Sequence, residues 1–107
     1  MSLDVTNIFE TNDIRKLFIS LITSGIEKRQ RAYSQGSFKV YVYKEDGGQH
    51  HYQHCHLYMN EFSLVFNLEN ESIIESTFKN TKIEKIASEI ILKNKRKIIE
   101  IYERVNL

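Results

Sequence analysis

The chain has 107 residues, 41% of them hydrophobic and 27% charged, the balance of one ordinary globular domain rather than of a disordered segment. Fifteen basic against fourteen acidic residues leave a net charge of +1, too even for strong non-specific nucleic-acid binding, which draws on a clustered positive excess. A single cysteine excludes an internal disulfide framework.

The start, Met1-Ser2-Leu3-Asp4-Val5-Thr6, lacks the basic end and apolar run of a secretory leader. No apolar stretch approaches the roughly 18 to 20 residues of a membrane span, so a cytoplasmic protein without a membrane partner is expected. Residues 1–10 show no period and read as an N-terminal arm, with Ile8 and Phe9 tucked against the core. From Asn12, a plausible N-cap, Ile14, Leu17, Phe18, Leu21, Ile22 and Ile26 recur at helical spacing, which predicts an amphipathic helix over 12–31. Gly25 weakens its last turn. Lys28, Arg29 and Arg31 then fall near its C-terminal end, where the helix dipole favours cations, and read as a solvated helix end.

Gln35-Gly36 breaks that pattern and the period becomes two. Over 37–44, Phe38, Val40 and Val42 share one side of a strand and Lys39, Tyr41 and Tyr43 the other. Glu45-Asp46-Gly47-Gly48 is a turn signal. A stretch holding all four histidines and the cysteine follows, from His50 to His56. Strands over 54–59 and 62–68 read as a hairpin around Asn60-Glu61, since Asn tolerates the left-handed conformation. This register sets Met59 against Phe62, Leu57 against Leu64 and Cys55 against Phe66. The reverse face then carries His54, His56, Tyr58, Ser63, Val65 and Asn67, and a one-residue slip would mix the two sets.

A turn over 67–71 leads into a fourth strand over 72–78, with Ile74 and Phe78 expected inward and Ile73, Glu75 and Thr77 on the histidine face. Thr81 and Glu84 form a capping-box pattern. The stripe Ile83, Ile86, Ala87, Ile90, Ile91, Ile98, Ile101, Tyr102 and Val105 predicts one long helix over 82–104, with Asn94 near its line. The fold expected is α+β: one two-layer domain over 1–107, with an antiparallel sheet of about four strands (37–78). The N-terminal and C-terminal helices pack on its single apolar face. The opposite face, with His54, His56, Tyr41, Tyr43 and Tyr58, is left for solvent or a partner.

His54 and His56 project from one strand face about 7 Å apart at their Cα atoms. Two such imidazoles converge on a divalent metal such as zinc when a third ligand joins them. His50, His51, Glu75 and Asp46 are the candidates, whereas Cys55 faces the core. Without metal, the same two histidines suit acid and base roles in phosphodiester cleavage. The tyrosines read as cross-strand aromatic pairs or as supports for a base or phosphate.

The segment over 38–106 resembles a family of small bacterial proteins of unknown function. Its hallmark strand reads Pro-His-x-His-Val and is followed by a short β segment and a C-terminal helix with an Asn and a late Trp. His54 and His56 match the motif histidines, Leu57 the apolar residue after them, and Asn94 the helix Asn. Gln53 stands where the family has Pro, Tyr102 stands near the usual Trp, and the first 36 residues lie outside the resemblance. Such proteins sit in toxin–antitoxin-like gene pairs, which implies a prokaryotic source and a small partner protein.

Three readings follow. The first is an interaction component of a toxin–antitoxin-like or defence locus, binding a partner protein or RNA through Tyr41, Tyr43, Tyr58 and Asn94. The second is an RNA or phosphodiester hydrolase centred on His54 and His56, with Glu75 or a loop histidine assisting, and with or without a metal. The third is a homodimer built on an exposed sheet face or edge.

Overall fold

The computed structural model describes residues 2–25, 38–44 and 52–107. In chain order these form β1 (Ser2–Asp4), a 3-10 turn (Thr6–Ile8), α1 (Thr11–Thr23), β2 (Phe38–Tyr43), β3 (His54–Met59), β4 (Phe62–Asn67), β5 (Ser72–Ser76), α2 (Thr81–Lys93) and α3 (Lys95–Val105). The strands make one antiparallel sheet in the order β1-β2-β3-β4-β5. The architecture is α+β, with one N-terminal and two C-terminal helices.

The β3–β4 hairpin has the expected register: Met59 opposes Phe62, Leu57 opposes Leu64 and Cys55 opposes Phe66. Asn60 supplies the left-handed turn residue at φ 55°, a conformation Asn reaches at little cost. Phe38, Val40, Val42, Cys55, Leu57, Met59 and Leu64 are fully buried, as are Leu17 and Leu21 of α1 and Ile83, Ala87 and Ile91 of α2. Each of the larger aliphatic side chains among them contributes about 1.5–3 kcal/mol by leaving water. α1 and α2 lie against each other, and on their solvent side Lys93 bridges Glu10 (3.0 Å) and Asp13 (2.9 Å).

The N-terminal arm contributes a fifth strand. β1 pairs with β2 through Ser2–Tyr43, Leu3–Val42 and Asp4–Tyr41. Beyond it the Val5 amide donates to the Val40 carbonyl (2.8 Å) and the Val40 amide to Thr6 Oγ1 (2.9 Å). Three exposed residues have no alternation to read, so backbone pairing alone defines this element.

Helix boundaries also differ from the pattern. α1 begins after Glu10, with Asn12 inside its first turn, and ends at Thr23 with Gly25 at φ 75° just beyond. The rest of the expected 12–31 span, including Ile26, Lys28, Arg29 and Arg31, lies outside the described residues, as do Gln35-Gly36 and the 45–48 turn. The α2 cap is Asn80, whose Oδ1 accepts from the Ile83 amide at 3.1 Å. Asn caps a helix at least as well as Thr, and Lys79 at φ 53° turns the chain into position for it.

Two further corrections shape the site. The single helix expected over 82–104 is two, divided at Asn94 (φ −109°, ψ 13°). The buried Asn94 amide donates from Nδ2 to the Ile90 carbonyl (2.9 Å), giving the broken turn a local partner. In β5 the pairings Val65–Glu75 and Phe66–Ile73 leave Ile74 as an extra, bulged residue. Ile73 therefore packs on the core and Ile74 is 39% exposed, the reverse of the expected alternation, while Phe78 is buried as anticipated.

Candidate functional site

Because β-strand side chains alternate, the sheet's second face collects the residues between the core positions. One cross-strand row reads Asp4, Tyr41, His56, Val65, Glu75 from β1 to β5, and beside it run Lys39, Tyr58 and Ser63. His54 pairs with Asn67 at the far end of β3.

The aromatic side chains of this face touch one another. Tyr41 packs edge-on against Tyr58 (5.9 Å between centroids), and Tyr43 edge-on against His56 (4.5 Å). Tyr58 stacks on His56 at 6.3 Å, and the Tyr43 and Tyr58 hydroxyls hydrogen-bond at 3.1 Å. Burial, then the bond to Tyr58 and the neighbouring tyrosines, push the Tyr43 hydroxyl up to about 12. It therefore stays a neutral hydrogen-bonding group at ordinary pH. Tyr41, Tyr43, His56 and Tyr58 are each half-buried, leaving part of every ring open to contact.

His54 is different. It is 3% exposed, so it is not on an open face as its strand position suggests. Tyr102 of α3 covers it at 6.0 Å and Tyr52 flanks it at 5.7 Å, both edge-on, while His56 lies 5.1 Å away. Its Nδ1 donates to the Tyr52 carbonyl at 3.2 Å, which requires a proton on Nδ1. The break at Asn94 lets α3 follow its own course against β2. Asn106, its C-cap, donates from Nδ2 to the Tyr43 carbonyl (3.1 Å). Tyr102 lies on the predicted apolar stripe, so its burial was foreseeable, but its contact with His54 needs the two-helix geometry.

The proposed ligands do not gather into a metal centre among the described residues, where no three His, Cys, Asp or Glu side chains form a group suited to an ion. Glu75 shares a row with His56, but Val65 separates them, an interval of two strand spacings or about 10 Å. His50, His51 and Asp46 lie outside the described residues. Cys55 is fully buried on the core face, and burial pushes its thiol up to about 12, which makes it a packing residue rather than a thiolate ligand. Asn94 sits at the helix junction, bonded to Ile90 and Ile91, not in the ring cluster. Asp4 and Thr6 enter the site unannounced by any motif. The Asp4 carboxylate accepts from both the hydroxyl and the amide of Thr6 and lies 3.7 Å from Lys39. These contacts, the Thr6 hydroxyl first, hold its carboxyl below its ordinary range.

Among the described residues no helix is long and apolar enough to cross a membrane. A family model described as a domain of unknown function, DUF4160, matches residues 37–103, a span that takes in His54, His56 and Asn94 and begins at the entry to β2. No curated protein and no solved structure matches the chain.

Proposed function

The chain belongs to the DUF4160 family, a domain of unknown function, and from that premise we propose that it is the interaction component of a bacterial toxin–antitoxin-like or defence gene pair. It works in the cytoplasm and docks a small partner protein on the second face of its sheet. The observation that carries this reading is the half-buried cluster of Tyr41, Tyr43, His56 and Tyr58. Tyrosines held by their neighbours lose little entropy on binding, and they are enriched among the residues that dominate protein interfaces. A Tyr43 hydroxyl pushed up to about 12 suits a contact surface better than proton transfer near neutral pH.

The test is calorimetric titration of the full chain with the product of the adjacent gene. A Tyr41→Ala, Tyr58→Ala double variant loses at least about tenfold in affinity, as truncated hot-spot residues do, while its circular dichroism spectrum is retained. Unchanged affinity removes the reading. A chromatographic mass of the chain alone separates partner binding from self-association as a homodimer.

A second reading, hydrolysis of RNA or another phosphodiester, draws on the 5.1 Å approach of the His54 and His56 rings. In it the pair acts as acid and base, or holds a divalent metal such as zinc once a third ligand joins them. The burial of His54 weighs against this, because a phosphate has to displace Tyr102 before reaching it. RNA cleavage by purified protein that disappears in a His54→Ala, His56→Ala double variant, with metal present at stoichiometric level in untagged protein, would favour the second reading over the first.

A further inference from the structure

We infer that the segment docked on the tyrosine face is a basic stretch of protein that spans the strands and brings arginine or lysine to Tyr41 and to the exposed Glu75 carboxylate at the β5 edge. This rests on the interaction reading above and adds the chemistry of the partner. The row Asp4, Tyr41, His56, Val65, Glu75 begins and ends in a carboxylate. Its ends stand four strand spacings apart, about 19 Å, with aromatic and aliphatic surface between.

Among the described strand residues of this face, Lys39 is the cation, and it is already turned to Asp4 at 3.7 Å. Glu75 is exposed and has no ion pair among the described residues. On the described strands of this face, the charge left for a partner to balance is therefore the negative charge of Glu75. A guanidinium set over a tyrosine ring gains from the ring's electron-rich face, and a carboxylate within reach adds to it. Nucleic acid meets the opposite situation: rings for stacking, but among the described strand residues of this face no spare cation for phosphate.

The chain has no tryptophan and six tyrosines, so tyrosine emission reports binding of probes that lack aromatic residues. Three probes are titrated into the full-length protein. One is an arginine- and alanine-containing peptide of about 15 residues, long enough as a helix to span the row. The second is the same peptide with glutamate for arginine, and the third is a single-stranded oligouridine. The arginine peptide binds saturably and the other two do not. Its affinity falls about threefold in Glu75→Gln, an exposed site whose change leaves the fold intact, and about tenfold in Tyr41→Ala.

The inference is overturned if the glutamate peptide or the RNA binds as tightly, or if Glu75→Gln binds the arginine peptide as well as the parent chain. If one of those other probes binds and Tyr41→Ala abolishes it, the face remains a docking surface and only its charge preference is wrong. If no probe's binding responds to Tyr41→Ala, the docking surface fails together with the inference.

Discussion

Replacing Tyr102 by alanine tests how α3 seals the site. The ring is 7% exposed and lies 6.0 Å from His54. Truncating a buried aromatic to alanine costs about 3–5 kcal/mol, a large share of the roughly 5–15 kcal/mol that holds a domain together. Tyr102→Phe keeps the ring and loses only the hydroxyl, whose approach to the Tyr52 carbonyl is long at 3.5 Å. That change is worth about 1 kcal/mol, the usual net value of a hydrogen bond. Urea denaturation measures both. Histidine modification by diethyl pyrocarbonate, followed by mass spectrometry, reads the seal itself. In the parent chain and in Tyr102→Phe the 3% exposed His54 reacts more slowly than half-buried His56, whereas in Tyr102→Ala the two rates converge. The reasoning fails if His54 reacts as fast as His56 in the parent chain, or if the alanine variant loses less than about 1 kcal/mol.

Other expectations follow from single contacts. Asn80→Ala, which removes the acceptor for the Ile83 amide, costs about 1 kcal/mol, while Thr81→Ala stays within about 0.5 kcal/mol; a reversed order in denaturation midpoints would return the cap to Thr81. Tyr43 keeps its proton longer in the folded chain than in the unfolded one, so its contribution is complete below its ordinary value of 10.0 and is lost as pH rises through about 12. The loss is bounded by about 2.7 kcal/mol and reduced by solvent screening of a partly exposed hydroxyl. Urea midpoints measured across that window should therefore fall more steeply for the parent chain than for Tyr43→Phe, and parallel curves would contradict the assignment. Cys55, fully buried with its thiol pushed up to about 12, reacts with a thiol reagent only through opening of the sheet. Its labelling should accelerate with added urea in step with unfolding, and prompt labelling of native protein would show the core face to be accessible.

The hairpin was legible because a period of two admits one register that keeps Cys55, Leu57 and Met59 together against Leu64 and Phe66. The row joining Tyr41, His56 and Glu75 follows from the same alternation. β1 was illegible because its three residues are all exposed and carry no pattern. The division at Asn94 was hidden for the opposite reason: Ile90, Asn94 and Ile98 continue the helical spacing, so the apolar stripe reads straight across a buried polar residue that ends one helix and starts the next. The bulge at Ile74 was disguised by the adjacent isoleucines, since apolar type alone does not say which of two neighbours faces inward. At the candidate site the sequence grouped the histidines correctly by strand face. It could not separate them by exposure, because the burial of His54 is decided by a helix some fifty residues away in the chain, through Tyr52 and Tyr102.

The strand order has a kinetic meaning as well. From β2 to β5 every strand pairs with its immediate successor in the chain, so the loops to be closed are short, and the β3–β4 hairpin has only Asn60-Glu61 between its arms. β1 instead pairs with β2 across all of α1 and the residues that follow it. Closing that longer loop costs about 2 kcal/mol more in chain entropy than closing the hairpin. Loop closure of this kind favours near contacts, so β3 and β4 are expected to come together first and β1 to join the sheet's edge late, with φ-values high for hairpin variants and near zero for β1 variants; the reverse pattern would refute that order.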